Sequence, residues 1–306
     1  MNNKKLLAIF SLLIILAFIG YIIYDISKPE KVVIDQTETD VTHDSADKWR
    51  ISQELFIREG LKAVTVSDDG FIYLGGDSFV ACYDEDLKEI WDIGTTEPIT
   101  AVSSYGDTIF ASSAELVFLM NRGGKLIGEW GPYESECIIT SLYANKNYLA
   151  VADAGNKRVL ILKKDGEVFS MAGQFDEKLI IPSPYFDVYL TNDNTLFLAH
   201  TGSFRIENRN IEGRLLSYFG ESGTDPEKFC GCCNPAHFTV IPQGFITAEK
   251  GINRIKILDT EGGFVEYVSS KNDFIASIPL DIASPDGKTI YGVNPADSKL
   301  YVFKRK

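Results

Sequence analysis

The chain has 306 residues, 45% hydrophobic and 24% charged, which is enough apolar material for a sizeable folded core. Acidic residues outnumber basic ones 43 to 30, giving a net charge of −13. That sign argues against nucleic acid and anionic lipid surfaces as partners and fits solubility, metal ions or cationic ligands.

Lys4 and Lys5 follow Met1-Asn2-Asn3, and Leu6 to Tyr24 come next as nineteen residues with no charge. As a helix this run is about 28 Å long, close to the thickness of a hydrocarbon core. Asp25, Glu30, Asp35, Glu38 and Asp40 come next, an asymmetry that puts the N-terminus in the cytoplasm and the body outside. A cleaved signal peptide is the alternative. The run exceeds the usual apolar region of about 7–15 residues, however, and no small-x-small site or lipobox cysteine follows it. Residues 1–24 are therefore expected to be a transmembrane signal anchor. Residues 25–48, acidic and without apolar periodicity, are expected to tether an extracytoplasmic body, periplasmic or cell-surface, formed by residues 49–306.

From there the sequence repeats. Val151-Ala152-Asp153-Ala154-Gly155-Asn156-Lys157-Arg158-Val159 aligns with segments around Arg205, Arg254 and Lys299, and these basic residues fall 47, 49 and 45 apart. Shorter copies lie around Leu74 to Tyr83 and Phe110 to Leu119. Each unit alternates short apolar strands with Asp-Gly or Gly-Gly turns, as in Ala63-Val64-Thr65-Val66, Ser67-Asp68-Asp69-Gly70, Phe71-Ile72-Tyr73-Leu74. Four antiparallel strands per 40–50 residues is the blade pattern of a β-propeller. Inner strands are expected near Ala63, Ile99, Ile139, Phe186, Phe238 and Leu280, which predicts an all-β, six-bladed ring. The last unit ends after its third strand, so Arg50 to Ile57 must supply the fourth and close the ring.

The unit resembles the NHL repeat, whose signature includes Asp-x-x-Asn-x-Arg-Val and a later Gly-x-Phe-x-x-Pro. Residues 153–159 match the first part, and Lys228-Phe229 through Pro235 looks like the second with a cysteine run inserted. The resemblance spans residues 60–306 and is strongest over 140–260, whereas the first two units depart from the signature. It implies a propeller and says little of activity. Related six-bladed propellers include lactonases and amidating lyases that hold calcium or zinc at the channel. That likeness implies Asp187, Asp281, His237 and Glu249 as candidates. Asp187 and Asp281 stand at the starts of inner strands, where side chains can face the channel. In the repeat alignment His200 and Glu249 share the position of Asp153 and Asn294, where an acceptor caps its own turn. The recurring arginines are expected to be structural.

Phe229-Cys230-Gly231-Cys232-Cys233-Asn234-Pro235-Ala236-His237 carries three of the five cysteines in four positions. It lies in the connection between two blades, on the face where propeller sites gather, and Cys137 lies in the equivalent connection two blades earlier. Three readings stand side by side. One is a disulfide, Cys230 with Cys233 or with Cys137, as suits an oxidising compartment. Another is a zinc or copper site of Cys230, Cys232, Cys233 and His237, though its spacing matches no standard module. The third is a labile vicinal Cys232–Cys233 disulfide. Cys82, within a strand, is expected to be inert. No Gly-x-Ser-x-Gly elbow, phosphate loop or His-Glu-x-x-His occurs, and three histidines exclude a multi-histidine centre. The sequence thus favours a tethered module that binds a protein or small molecule at its channel mouth. The alternative is a metal- or thiol-dependent enzyme or metal-handling protein.

Overall fold

A computed structural model describes residues 14–20, 48–173, 178–252, 254–270, 274–275 and 278–306. The chain divides into two compact units, Met1–His43 and Asp44–Lys306. In the first, residues 14–20 are helical and exposed; the remainder of the apolar run and the tether up to residue 47 lie outside the described residues. Among the described residues no helix is long and apolar enough to cross a membrane.

The second unit is built from six four-stranded antiparallel sheets. Five are strictly sequential and define blades 1 to 5, over residues 61–94, 101–130, 139–172, 188–219 and 237–269. Blade 6 joins Asp281–Ala283, Thr289–Asn294 and Lys299–Arg305 to the N-terminal strand Trp49–Phe56. The closing pair runs antiparallel from Trp49↔Arg305 to Phe56↔Lys299, so the first and last strands cover each other's edges. The observed inner strands begin at Leu61, Ala101, Ile139, Val188, His237 and Asp281, within two residues of the sequence expectation.

Burial along each blade explains why the strands read as they do. Middle strands such as Leu149–Ala152 within Tyr148–Asp153 are buried on both faces because a neighbouring sheet packs on each side. Fourth strands such as Leu215–Phe219 lie at the rim and are largely exposed. The core is accordingly divided among the six blade interfaces. Phe110, Leu142 and Leu160 fill the space between blades 2 and 3, and Phe229, Phe238 and Phe245 that between blades 4 and 5. Trp49, Ile257, Ile282 and Phe303 unite blades 5 and 6, while Leu61, Leu74, Val293 and Leu300 unite blades 6 and 1. Gly166, at φ +87° in the Asp165-Gly166 turn, shows how turn and packing agree. A Cβ there would lie 2.7 Å from the Trp130 indole of the preceding blade, so the turn needs glycine for both conformation and space.

The repeat position at the turn between second and third strands has one job carried out by three residue types. Asp153 Oδ1 accepts the Ile138 N–H at 3.1 Å, His200 Nε2 accepts the Ile180 N–H at 2.8 Å, and Glu249 Oε2 accepts the Cys230 N–H at 3.4 Å. Each acceptor ties down the incoming inter-blade loop; Asp153 also caps its own turn through the Asn156 N–H. Arg158 and Arg254 pair with Asp153 and Glu249 at 3.0 and 2.8 Å. Where histidine replaces the acid, Glu207 supplies the carboxylate, meeting His200 Nδ1 at 2.7 Å and Arg205 at 2.6 Å. The arginines are structural, as the sequence suggests.

Candidate functional site

The channel is lined by all six inner strands and narrows to a cavity of about 60 Å³, room for an ion or one or two waters. Its wall is uneven. Blades 3 to 6 contribute Ser141, Asp187, His237 and Asp281, whereas Val64, Ala101 and Val102 of blades 1 and 2 make an apolar side. These polar residues all stand at or near the first position of an inner strand, and Asp187, His237 and Asp281 follow one another at one-repeat intervals. Ring closure therefore converges side chains that are far apart in sequence. Ligand atoms of Asp187, His237 and Asp281 all lie within 4.8 Å of one another.

Each carboxylate is held by the backbone. Asp187 Oδ1 accepts from the Ser141 hydroxyl and, at 2.9 Å, from the Val188 N–H; Oδ2 accepts the Phe238 N–H at 2.8 Å. Asp281 Oδ2 accepts the Val64 N–H at 2.8 Å and Oδ1 the Ile282 N–H at 3.0 Å. Both acids thus lace neighbouring inner strands together while leaving lone pairs for the channel. His237 Nδ1 sits 3.4 Å from Asp281 Oδ1 and 3.7 Å from Asp187 Oδ2, and Tyr185 meets its ring edge-on. Burial works against the His237 imidazolium, but the nearby carboxylates of Asp187 and Asp281 outweigh it, so its pKa lies above the ordinary value. Burial, reinforced by Asp187, pushes the Asp281 carboxyl up to about 6, against the opposing pull of His237 and of two backbone N–H groups. The side chains of His237 and Asp281 keep 16% and 20% of their surface open, so they remain within reach of channel contents.

Two carboxylates and an imidazole converging in this way can hold a divalent cation or work as an acid–base group. Tetrahedral zinc uses three such ligands and an open fourth position. Calcium calls for six to eight oxygens and copper(I) for sulfur, neither of which this donor set provides.

No protein family and no curated protein matches the sequence. Solved structures do match in fold. A streptogramin B lyase superposes with a TM-score of 0.61 at 13% identity, over 86% of this chain and 99% of that one. Virginiamycin B lyase from Staphylococcus aureus gives 0.59 at 15%, over 84% and 99%. A Bacteroides thetaiotaomicron protein of unknown function gives 0.64 at 13%, over 86% and 74%. At such identities the likeness establishes a six-bladed propeller fold and nothing finer.

Glu249, expected at the channel, lies elsewhere. It is buried beneath the cysteine loop, ion-paired with Arg254 and with Lys256 at 3.0 Å. Its alignment with Asp153 was the signal for this structural role. The cysteines are all free thiols. Cys137 is buried in the core between blades 2 and 3, and Cys82 in that between blades 1 and 2. Neither approaches the loop of blade 5, so the Cys137 pairing is not formed. Within the loop Cys230 is half-buried, Cys232 exposed and Cys233 buried at φ +68°. Asn234, fully buried, fixes its shape by donating to the carbonyls of Cys230 and Lys250 and accepting the Lys250 N–H at 2.9 Å. His237 turns to Asp187 and Asp281 instead of to sulfur, so the set Cys230, Cys232, Cys233 and His237 is not assembled. Ser141, which steadies Asp187 from the preceding blade, was the contributor with no sequence signal beyond its repeat position.

Proposed function

We propose that this chain is a membrane-tethered propeller of NHL type that binds a small ligand at its channel mouth around a zinc-type divalent cation. The observation that carries the cation is the convergence of Asp187, His237 and Asp281 from three successive blades, with lone pairs left after their backbone bonds. The NHL assignment draws on the Asp153, Asn156 and Arg158 network, in which Asn156 Nδ2 donates to Asp153 Oδ2 at 2.8 Å. Tethering, with the propeller outside the cytoplasm, rests on the uncharged run from Leu6 to Tyr24 behind Lys4 and Lys5. A bound ion of this type would polarise a ligand oxygen or acidify a bound water.

The test is calorimetric titration of zinc into chelator-treated full-length protein, with elemental analysis of the protein as purified. One equivalent is expected for the wild type and none for His237→Ala or Asp281→Asn. Absence of uptake, or uptake indifferent to both substitutions, removes the cation.

A second reading, acid–base catalysis, is favoured by the placement of His237 between two carboxylates. Two similar folds are lyases, one of them solved as a catalytically inactive histidine-to-alanine variant with quinupristin. Mass spectrometry of quinupristin incubated with wild type and His237→Ala distinguishes this reading: conversion by the wild type alone supports it, and an unchanged compound ends it for that substrate.

A further inference from the structure

The inner strands begin at the Asp187–His237–Asp281 cluster and end at the other mouth of the channel, where the wall opens into a cavity of about 280 Å³. Its lining comes from the turns after the inner strands of blades 1 and 2, with Asp68, Asp69 and Asp107, and from Tyr143 and Tyr189 of blades 3 and 4. Arg122 bridges Asp69 and Asp107, the latter at 3.4 Å, and its guanidinium is steadied 5.1 Å above the Phe71 ring. Asp68 has no ion pair or hydrogen bond among the described residues, so with one guanidinium against three carboxylates the lining keeps a net negative charge.

Tyr143 and Tyr189 line this mouth and pack with ring centroids 3.8 Å apart. Asp68 lines the same cavity as both phenols. A carboxylate beside aromatic side chains is the chemistry that recognises an organic cation. A bare metal ion fits less well: among the described residues the three aspartates of this mouth do not converge as Asp187, His237 and Asp281 do. The cavity is also several times larger than an ion needs.

We propose that this second mouth is a binding site for a small alkylammonium cation, with Asp68 as counter-ion and Tyr143 and Tyr189 as the aromatic wall. The site is independent of the cation cluster at the first mouth, and the negative charge of the chain would steer such a ligand toward it.

Calorimetry of the full-length protein with putrescine, with glucose as a neutral control, tests this. Saturable one-site binding of putrescine is expected, weakening with added salt and falling about tenfold in Asp68→Asn through loss of a charge-assisted contact. Asp68 is exposed, so the variant should keep its wild-type circular dichroism spectrum and melting temperature. Asp281→Asn should bind putrescine like the wild type, which separates this site from the first mouth. The proposal is overturned by absence of saturable binding, by an unaltered Asp68→Asn, or by glucose binding as tightly as putrescine, which would make the cavity a polyol site.

Discussion

Asp187 Oδ2 accepts the backbone N–H of Phe238 at 2.8 Å, across the boundary between blades 4 and 5. One carboxylate therefore both faces the channel and locks the ring, and substitutions should separate the two roles. Asp187→Ala strands the Phe238 and Val188 amides and the Ser141 hydroxyl, and it should destabilise the protein by about 3 kcal/mol in urea unfolding. Asp187→Asn keeps one oxygen and should lose about half as much, while still abolishing cation uptake. Equal stability of both variants with the wild type would show that the lacing contributes nothing.

The N-terminal strand offers a cleaner test of closure. Trp49–Phe56 completes blade 6, with Trp49 Nε1 donating to Glu266 at 3.0 Å. A chain starting at residue 48 should fold with the full set of strands. One starting at residue 58 exposes the whole edge of Lys299–Arg305 and loses Trp49 from the core between blades 5 and 6. It should aggregate or fail to give a cooperative melt. A soluble, cooperatively melting shorter chain would refute closure by this strand.

The ring was legible because its determinants are local and repeated. Turn glycines such as Gly166 and the positions of Asp153 and Arg158 recur every 45 to 49 residues, so strand positions and blade count could be read without knowing any long-range contact. The same period explains why Asp187, His237 and Asp281, one repeat apart, meet at the channel. Glu249 was harder to place. Its own repeat position marks it as a loop tie, but the family likeness drew it toward the channel, and only burial against Arg254 and Lys256 separates the two. The cysteine run was least legible. Thiol density is a compositional signal, whereas pairing depends on the path of the backbone, and here that path is set by the Asn234 clamp and a left-handed Cys233.

Thiol accessibility follows from that path. Cys232 is exposed, whereas Cys82, Cys137 and Cys233 are buried. Burial, with the Glu249 charge, raises the Cys230 thiol above its ordinary value, against the nearby Arg254 and Lys256 cations. Native protein at neutral pH should show one fast-reacting thiol with an aromatic disulfide reagent, and Cys232→Ser should remove it. Denatured protein should show five. A denatured count of three or one, restored to five by a reductant, would establish one or two disulfides.

Blade 4 should carry a pH-dependent share of the stability. Glu207 is fully buried, and burial alone would raise its carboxyl; the hydrogen bond from His200, the Arg209 charge and the Arg205 and Arg209 hydrogen bonds override this and lower it to about 2, from 4.5. A carboxylate depressed in the folded state stabilises fully above its unfolded pKa and loses that contribution as pH falls through the folded one. The network is therefore worth about 3 kcal/mol at neutral pH, fading between about pH 4.5 and pH 2. Glu207→Gln leaves the Arg205 and Arg209 cations without this counter-ion and should cost about 3–5 kcal/mol at pH 7. Its stability should also fall less steeply than the wild type's over the acid range, because the substituted side chain takes up no proton. Urea unfolding at pH 7, 4.5 and 3 measures both effects, and parallel profiles for the two proteins would show that Glu207 is not the group that titrates.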